Sequence, residues 1–174
     1  MKNLKAISLV IFFFCMSIFS KTFGQTLKYD SLEKKYIIQE IIICDSTLSK
    51  KQIYELSKSW IAKSFKGIDN NIILDDPEQK QITTTCVLRT NVPTAICQTQ
   101  CKFEFKLTID VKEGKIRYTV ENISHLAPNY VTTLENTIYK KKILQQIFDE
   151  LEYQIKQKVD ILIATLRDKQ KSDW

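Results

Sequence analysis

Three groups of residues have types and spacings that could do chemistry. The first is acidic: Asp75, Asp76 and Glu78, with Asp69 a few residues earlier. Carboxylates this close can converge on a calcium ion or divide acid and base roles between them. A calcium loop needs several converging oxygens and usually a glycine, whereas Pro77 and Lys80 stand among these acids. That composition reads as a solvated β-turn. The second is His125, the single histidine. Any histidine-dependent triad would rest on it alone, and its place beside Leu126 after an apolar strand marks a strand-end histidine. The third is the set of cysteines Cys44, Cys86, Cys97 and Cys101 that follows Cys15. They include no CxxC pair, so zinc spacing is absent. Beyond residue 24 the only glycines are Gly67 and Gly114, too few for a phosphate-cradling loop or a nucleophile elbow. The expectation is a chain that is not an enzyme, with no catalytic residue, cofactor or metal.

The elements around these residues can be read from periodicity. Tyr36 to Cys44 (YIIQEIIIC) is β-branched and nearly continuous, which predicts a central strand buried on both faces. Ser49 and Gln52 form a capping box, and Ile53, Leu56, Trp60, Ile61 and Phe65 make one apolar stripe over 49–65, with Gly67 placed to stop the helix. Residues 71–74 and 81–89 read as strands. From Cys101 to Lys112 the pattern alternates, with Phe103, Phe105, Leu107, Ile109 and Val111 on the inner face. Glu113-Gly114 is a two-residue turn into a strand over 115–122, which sets Val111 opposite Ile116, Ile109 opposite Tyr118 and Leu107 opposite Val120. The outer face of that register pairs Asp110 with Arg117 and Lys106 with Glu121, both opposite in charge. Residues 127–133 read as a loop. From about Leu134 to Lys169 the period is helical, through Ile143, Ile147, Leu151, Ile155, Val159, Leu162 and Leu166. Such a helix is about 50 Å long, longer than a small sheet is wide, so a kink or a projecting end is expected.

These elements predict an α+β fold in the order β-α-β-β-β-β-α. The sheet is five-stranded and mostly antiparallel, with the helices on one face. A loop centred between Pro93 and Thr94 would set Cys86 opposite Cys101, Thr84 opposite Phe103 and Ile82 opposite Phe105. Two readings then stand side by side: a Cys86–Cys101 disulfide, or two buried free thiols. A Cys97–Cys101 bridge would require Cys97 to curl back from the loop.

Residues 1–24 have the features of a cleavable signal peptide. Lys2 and Lys5 precede an apolar run from Ala6 to Phe19, and small residues stand at Thr22 and Gly24. The run is too short to span a bilayer, which takes about 20 apolar residues. Cys15 lacks the small residues ahead of it that a lipoprotein signal needs. Residues 25–35 carry no period and read as a flexible leader, and 36–174 as a single domain. Removing Lys2, Lys5 and Lys21 lowers the net charge from +6 to +3. With 20 acids interspersed, that is no nucleic-acid footprint. The expected location is outside the cytoplasm, periplasmic or secreted, with no membrane span after cleavage.

The chain resembles the DUF4468 family over about residues 37–125. The likeness rests on the apolar first strand, Leu48-Ser49-Lys50-Lys51-Gln52-Ile53-Tyr54 entering the helix, and Trp60-Ile61-Ala62 late in it. It rests also on Asp75-Asp76-Pro77-Glu78, and on Phe103 to Lys112 followed by Gly114, Arg117 and Tyr118. It departs where the family usually has a glycine after the acidic turn, since Gln79 stands here. The resemblance implies a TBP-like fold and an exported protein, and it supplies no catalytic residue. Function stays unknown at this level. The expectation is a non-enzymatic binding or structural module in the cell envelope, engaged with an unknown protein partner or with itself. The surface expected to do this is the end of the last helix, Ile161, Leu162, Ile163 and Leu166. The alternative is a small-ligand or lipid carrier with a pocket near Trp60, Phe65 and Tyr118.

Overall fold

The computed structural model describes residues 28–44, 48–65, 72–93, 98–137 and 139–172. The segment read as a signal peptide, Gly67, Asp69 and Cys97 lie outside the described residues. The strands are β1 (Lys28–Asp30), β2 (Lys35–Ile43), β3 (Ile72–Asp76), β4 (Gln81–Pro93), β5 (Gln98–Lys112), β6 (Lys115–Ala127) and β7 (Tyr130–Thr133). Helix α1 spans Lys50–Ser64 and α2 spans Lys141–Ser172, after a 3-10 turn at Leu134–Asn136. The described strands form one sheet in the order β1-β2-β6-β5-β4-β3, with β7 also on β6. Every pairing is antiparallel.

The α+β class, the antiparallel sheet and the long final helix agree with the sequence expectation. The β5–β6 hairpin has the predicted register, from Val111 opposite Ile116 to Lys106 opposite Glu121. Gly114 closes it at φ +65°, where a side chain would be strained. The Ser49–Gln52 capping box is formed at the start of α1. Beyond Glu121 a bulge at Asn122 (φ +56°) inserts one residue, so Ile123 and His125 turn inward again and β6 runs on to Ala127. The alternation breaks at that residue, which is why the strand seemed to end at 122.

Four expectations are corrected. First, the sheet has seven strands rather than five: Lys28–Asp30 pairs with Lys35–Ile37 where a flexible leader was expected, and Tyr130–Thr133 pairs with the end of β6. Both strands are too short to show a period. Second, β4 and β5 pair four residues away from the expected register, so Cys86 faces Phe105 and Cys101 faces Thr90. An even slip keeps every inward side chain inward, so burial alone does not distinguish the two registers. Cys86 and Cys101 are then separated by about 13 Å of strand, too far for a bridge. Cys44, Cys86 and Cys101 are buried free thiols.

Third, Leu162 and Leu166 are buried and Ile163 packs against the core, which leaves only Ile161 exposed. Helix α2 is longer than the sheet is wide, but α1 packs against it too. The Trp60 indole donates to the Lys158 carbonyl at 2.8 Å, and the Lys158 ammonium donates to the Ser64 carbonyl at 2.7 Å. Fourth, β2 is not a central strand buried on both faces. Ile38 and Ile42 point into the core, but Ile41 is 56% and Ile43 78% exposed.

Candidate functional site

The structure disperses the acidic cluster. Tyr54 and Lys58, one turn apart on α1, donate to opposite oxygens of Asp75. The Lys58 ammonium, and then the Tyr54 hydroxyl, hold the Asp75 carboxyl below its ordinary range. Asp76 instead accepts the backbone N–H groups of Glu78 and Gln79 at 3.0 and 2.9 Å, an Asx-type turn. Among the described residues no three His, Cys, Asp or Glu side chains converge as a metal site.

His125 is a packed core residue. It stacks on its cross-strand partner Phe103 at 5.1 Å between ring centres, and Tyr139 brings its hydroxyl to 3.2 Å from Nδ1. Burial lowers its pKa, so the imidazole is neutral. The Cys86 thiol is pushed up to about 12 by burial, which leaves it unreactive as a nucleophile. The side chains expected to line a ligand pocket are packed among themselves or tied by hydrogen bonds. Trp60 and Phe65 meet edge to face at 5.8 Å, Phe65 meets Phe105 at 6.2 Å, and the buried Tyr118 hydroxyl donates to Glu40 at 3.0 Å.

Among the described residues, one face of the sheet and part of the β2 edge are left open. The open face is polar and internally paired over most of its width. Lys35 bridges to Glu121 at 2.6 Å, Lys106 reaches the same carboxylate at 3.1 Å, and Arg117 holds Asp110 at 2.8 Å. Lys35, then Lys106, holds the Glu121 carboxyl below its ordinary value. Between these rows run Thr83, Thr108 and Thr119, with Gln39 donating to Thr119 at 3.0 Å.

Toward β2 the character changes. The Cys44 N–H donates to the Gly114 carbonyl at 2.8 Å. By the alternation of an antiparallel ladder, even-numbered residues of β2 turn their backbone groups to β6 and odd-numbered ones turn theirs away. β1 takes up Lys35 and Ile37. Among the described residues no strand lies beside Gln39, Ile41 and Ile43. Their side chains all reach solvent on the open face. Next to them, Lys28, Tyr29, Asp30, Ser31, Leu32, Ile37 and Gln39 line a hollow of about 460 Å³. This edge is the candidate site. The signal that could have found it is the apolar run itself: β2 carries isoleucine on both faces, yet the fold buries one.

The family model for the domain of unknown function DUF4468, with TBP-like fold, matches residues 39–125. The chain belongs to the DUF4468 family. A solved DUF4468 protein from Bacteroides ovatus is similar in fold, with a TM-score of 0.59 at 16% identity over 80% of this chain and 89% of that one. A TBP-like protein from Parabacteroides distasonis has a TM-score of 0.62 at 13% identity, over 76% and 93%. Identities this low carry the fold alone. Comparison with curated proteins finds no match. The DUF4468 match begins at Gln39 and ends at His125, so it takes in the β2 edge and leaves out β1, β7 and α2.

Proposed function

We propose that this DUF4468 chain is an exported, non-catalytic module whose β2 edge receives an extended segment of a protein. The observation that carries the reading is the edge of Gln39, Ile41 and Ile43. Backbone groups directed outward from a strand supply affinity for an added strand, and the side chains beside them supply selectivity. Ile41 and Ile43 stand exposed beside that edge. Export to the periplasm or beyond is supported by the charge, apolar run and exit residues of 1–24, and N-terminal sequencing of the envelope fraction should begin at Gln25. A photo-crosslinking residue in place of Ile43, used in the producing cell, tests the edge. Adducts to protein that vanish with Ile41→Lys are expected. Adducts to lipid alone would favour the carrier reading, and a crosslinker that gives no protein adduct would remove the proposal.

A further inference from the structure

We infer that the segment added at this edge is β2 of a second copy of the chain, antiparallel and centred on Ile41. The inference rests on the proposed edge and adds its occupant. The stretch with no strand beside it among the described residues is self-complementary in one register. With Ile41 on a two-fold axis, Gln39 pairs with Ile43 of the second copy, Ile41 with its own counterpart, and Ile43 with Gln39. All three are hydrogen-bonding pairs, because odd-numbered residues direct their backbone groups to this side. A shift by one residue toward the N-terminus would bring Ile43 against Ile37, which β1 already occupies. It would also set Glu40 directly against Glu40. A shift the other way would leave Gln39 without a β2 partner.

The same register matches shapes and charges. It sets Ile43, 78% exposed, beside Gln39 of the second copy, at the rim of the hollow lined by Ile37, Leu32 and Tyr29. An exposed knob and a vacant recess thus meet twice, once on each side of the axis. No ionisable side chain stands on the outer face at Gln39, Ile41 or Ile43. Across β6, Arg117 opposes Ile41 and is held by Asp110, and Lys115 opposes Ile43; on the other side Lys28 opposes Ile37 and lines the hollow. The two Arg117 residues would be three strand spacings apart, about 14 Å, beyond the ~8 Å screening length of physiological salt. On the inner face the two Glu40 residues lie diagonal, about 7–8 Å apart at Cα, and each accepts from its own Tyr118. A pairing of this size falls below the roughly 1,200 Å² of stable complexes, so the dimer is reversible.

The test is sedimentation of the purified chain over a wide concentration range, with charge variants at the axis. Wild type should pass from monomer to dimer as concentration rises. Ile41→Lys and Ile41→Glu should each stay monomeric, and their mixture should form a heterodimer, because like charges oppose at the axis and unlike charges pair. Ile41→Cys should form a disulfide dimer under mild oxidant. Ile43→Cys should do so only when mixed with Gln39→Cys, with wild type as the background. A monomer at every concentration would assign the edge to another protein or to the chain's own residues 25–27, and would overturn the self-pairing. A dimer that survives Ile41→Lys would overturn it too. In either case the crosslinks from Ile43 in the producing cell decide separately whether the edge binds protein at all.

Discussion

The two edges of the sheet are finished in different ways. At β3 the last strand is five residues long, its register shifts between Ile72 and Leu74, and it runs into Asp75, Asp76 and Pro77. Helix α1 clamps it through Tyr54 and Lys58 on Asp75. Short length, a bulge, charge and proline are the devices by which proteins stop strands from adding to one another. The β2 edge from Gln39 to Ile43 has no bulge and no proline, and its one charged residue, Glu40, lies on the inner face beside Tyr118. One edge is built into the stability of the fold, and the other carries no strand beside Gln39 to Ile43 among the described residues.

Asp75→Ala should give the largest effect. It strands the buried Tyr54 hydroxyl and releases Lys58, and should cost about 1–3 kcal/mol in urea unfolding. It should also alter the acid limb. A carboxyl held below its ordinary value contributes stability that is complete above the unfolded pKa of about 3.9 and is lost as pH falls through the folded one. The variant should therefore lose part of the steepness of acid unfolding below about pH 4. An unchanged acid limb would show that α1 does not clamp this edge. Ser49→Ala removes the cap of the same helix and should cost about 1 kcal/mol, with association untouched.

His125 offers a smaller effect, away from both edges. Its pKa is lowered by burial, so the unfolded chain takes up its proton first. Stability is complete above about pH 6.5 and falls as pH drops toward the folded value. His125→Phe keeps the stack on Phe103 and should flatten the stability profile in that window. A profile that keeps its slope would place the titration elsewhere. The smallest expected effect is at the open edge. Ile41→Lys and Ile43→Thr should change unfolding stability by no more than about 0.5 kcal/mol, because both side chains are already in water. A loss of several kcal/mol there would mean that β2 is structural on both faces, and the contrast between the edges would disappear.

Local patterns made half of this legible in the sequence. The two-residue turn at Gly114 pinned the β5–β6 register, and agreement on both faces left no freedom. The cap of α1 and the stripe of α2 were equally local. What was lost depended on distant chain. The β4–β5 register slipped by four residues because β4 and β5 alternate identically in either arrangement. Leu162 and Leu166 are buried on a helix that also meets α1, about a hundred residues earlier, through Trp60 and Lys158. Tyr130–Thr133 was too short to register. The candidate site was misread in a different way: a strand apolar on both faces was taken for a buried one, and its position at an edge is set by topology alone. Local patterning and global placement disagree there, and such disagreements concentrate at working surfaces.

The position of β2 also matters during synthesis. Gln39 and Thr119, its partner on β6, lie 80 residues apart. At about 5–20 residues per second, the ribosome completes β2 some 4–16 s before β6 exists. Throughout that interval an isoleucine-rich segment without proline or glycine lacks β6, and such segments nucleate cross-β aggregates. The strand proposed to accept another copy in the finished protein is therefore one that needs shielding while the chain is being made.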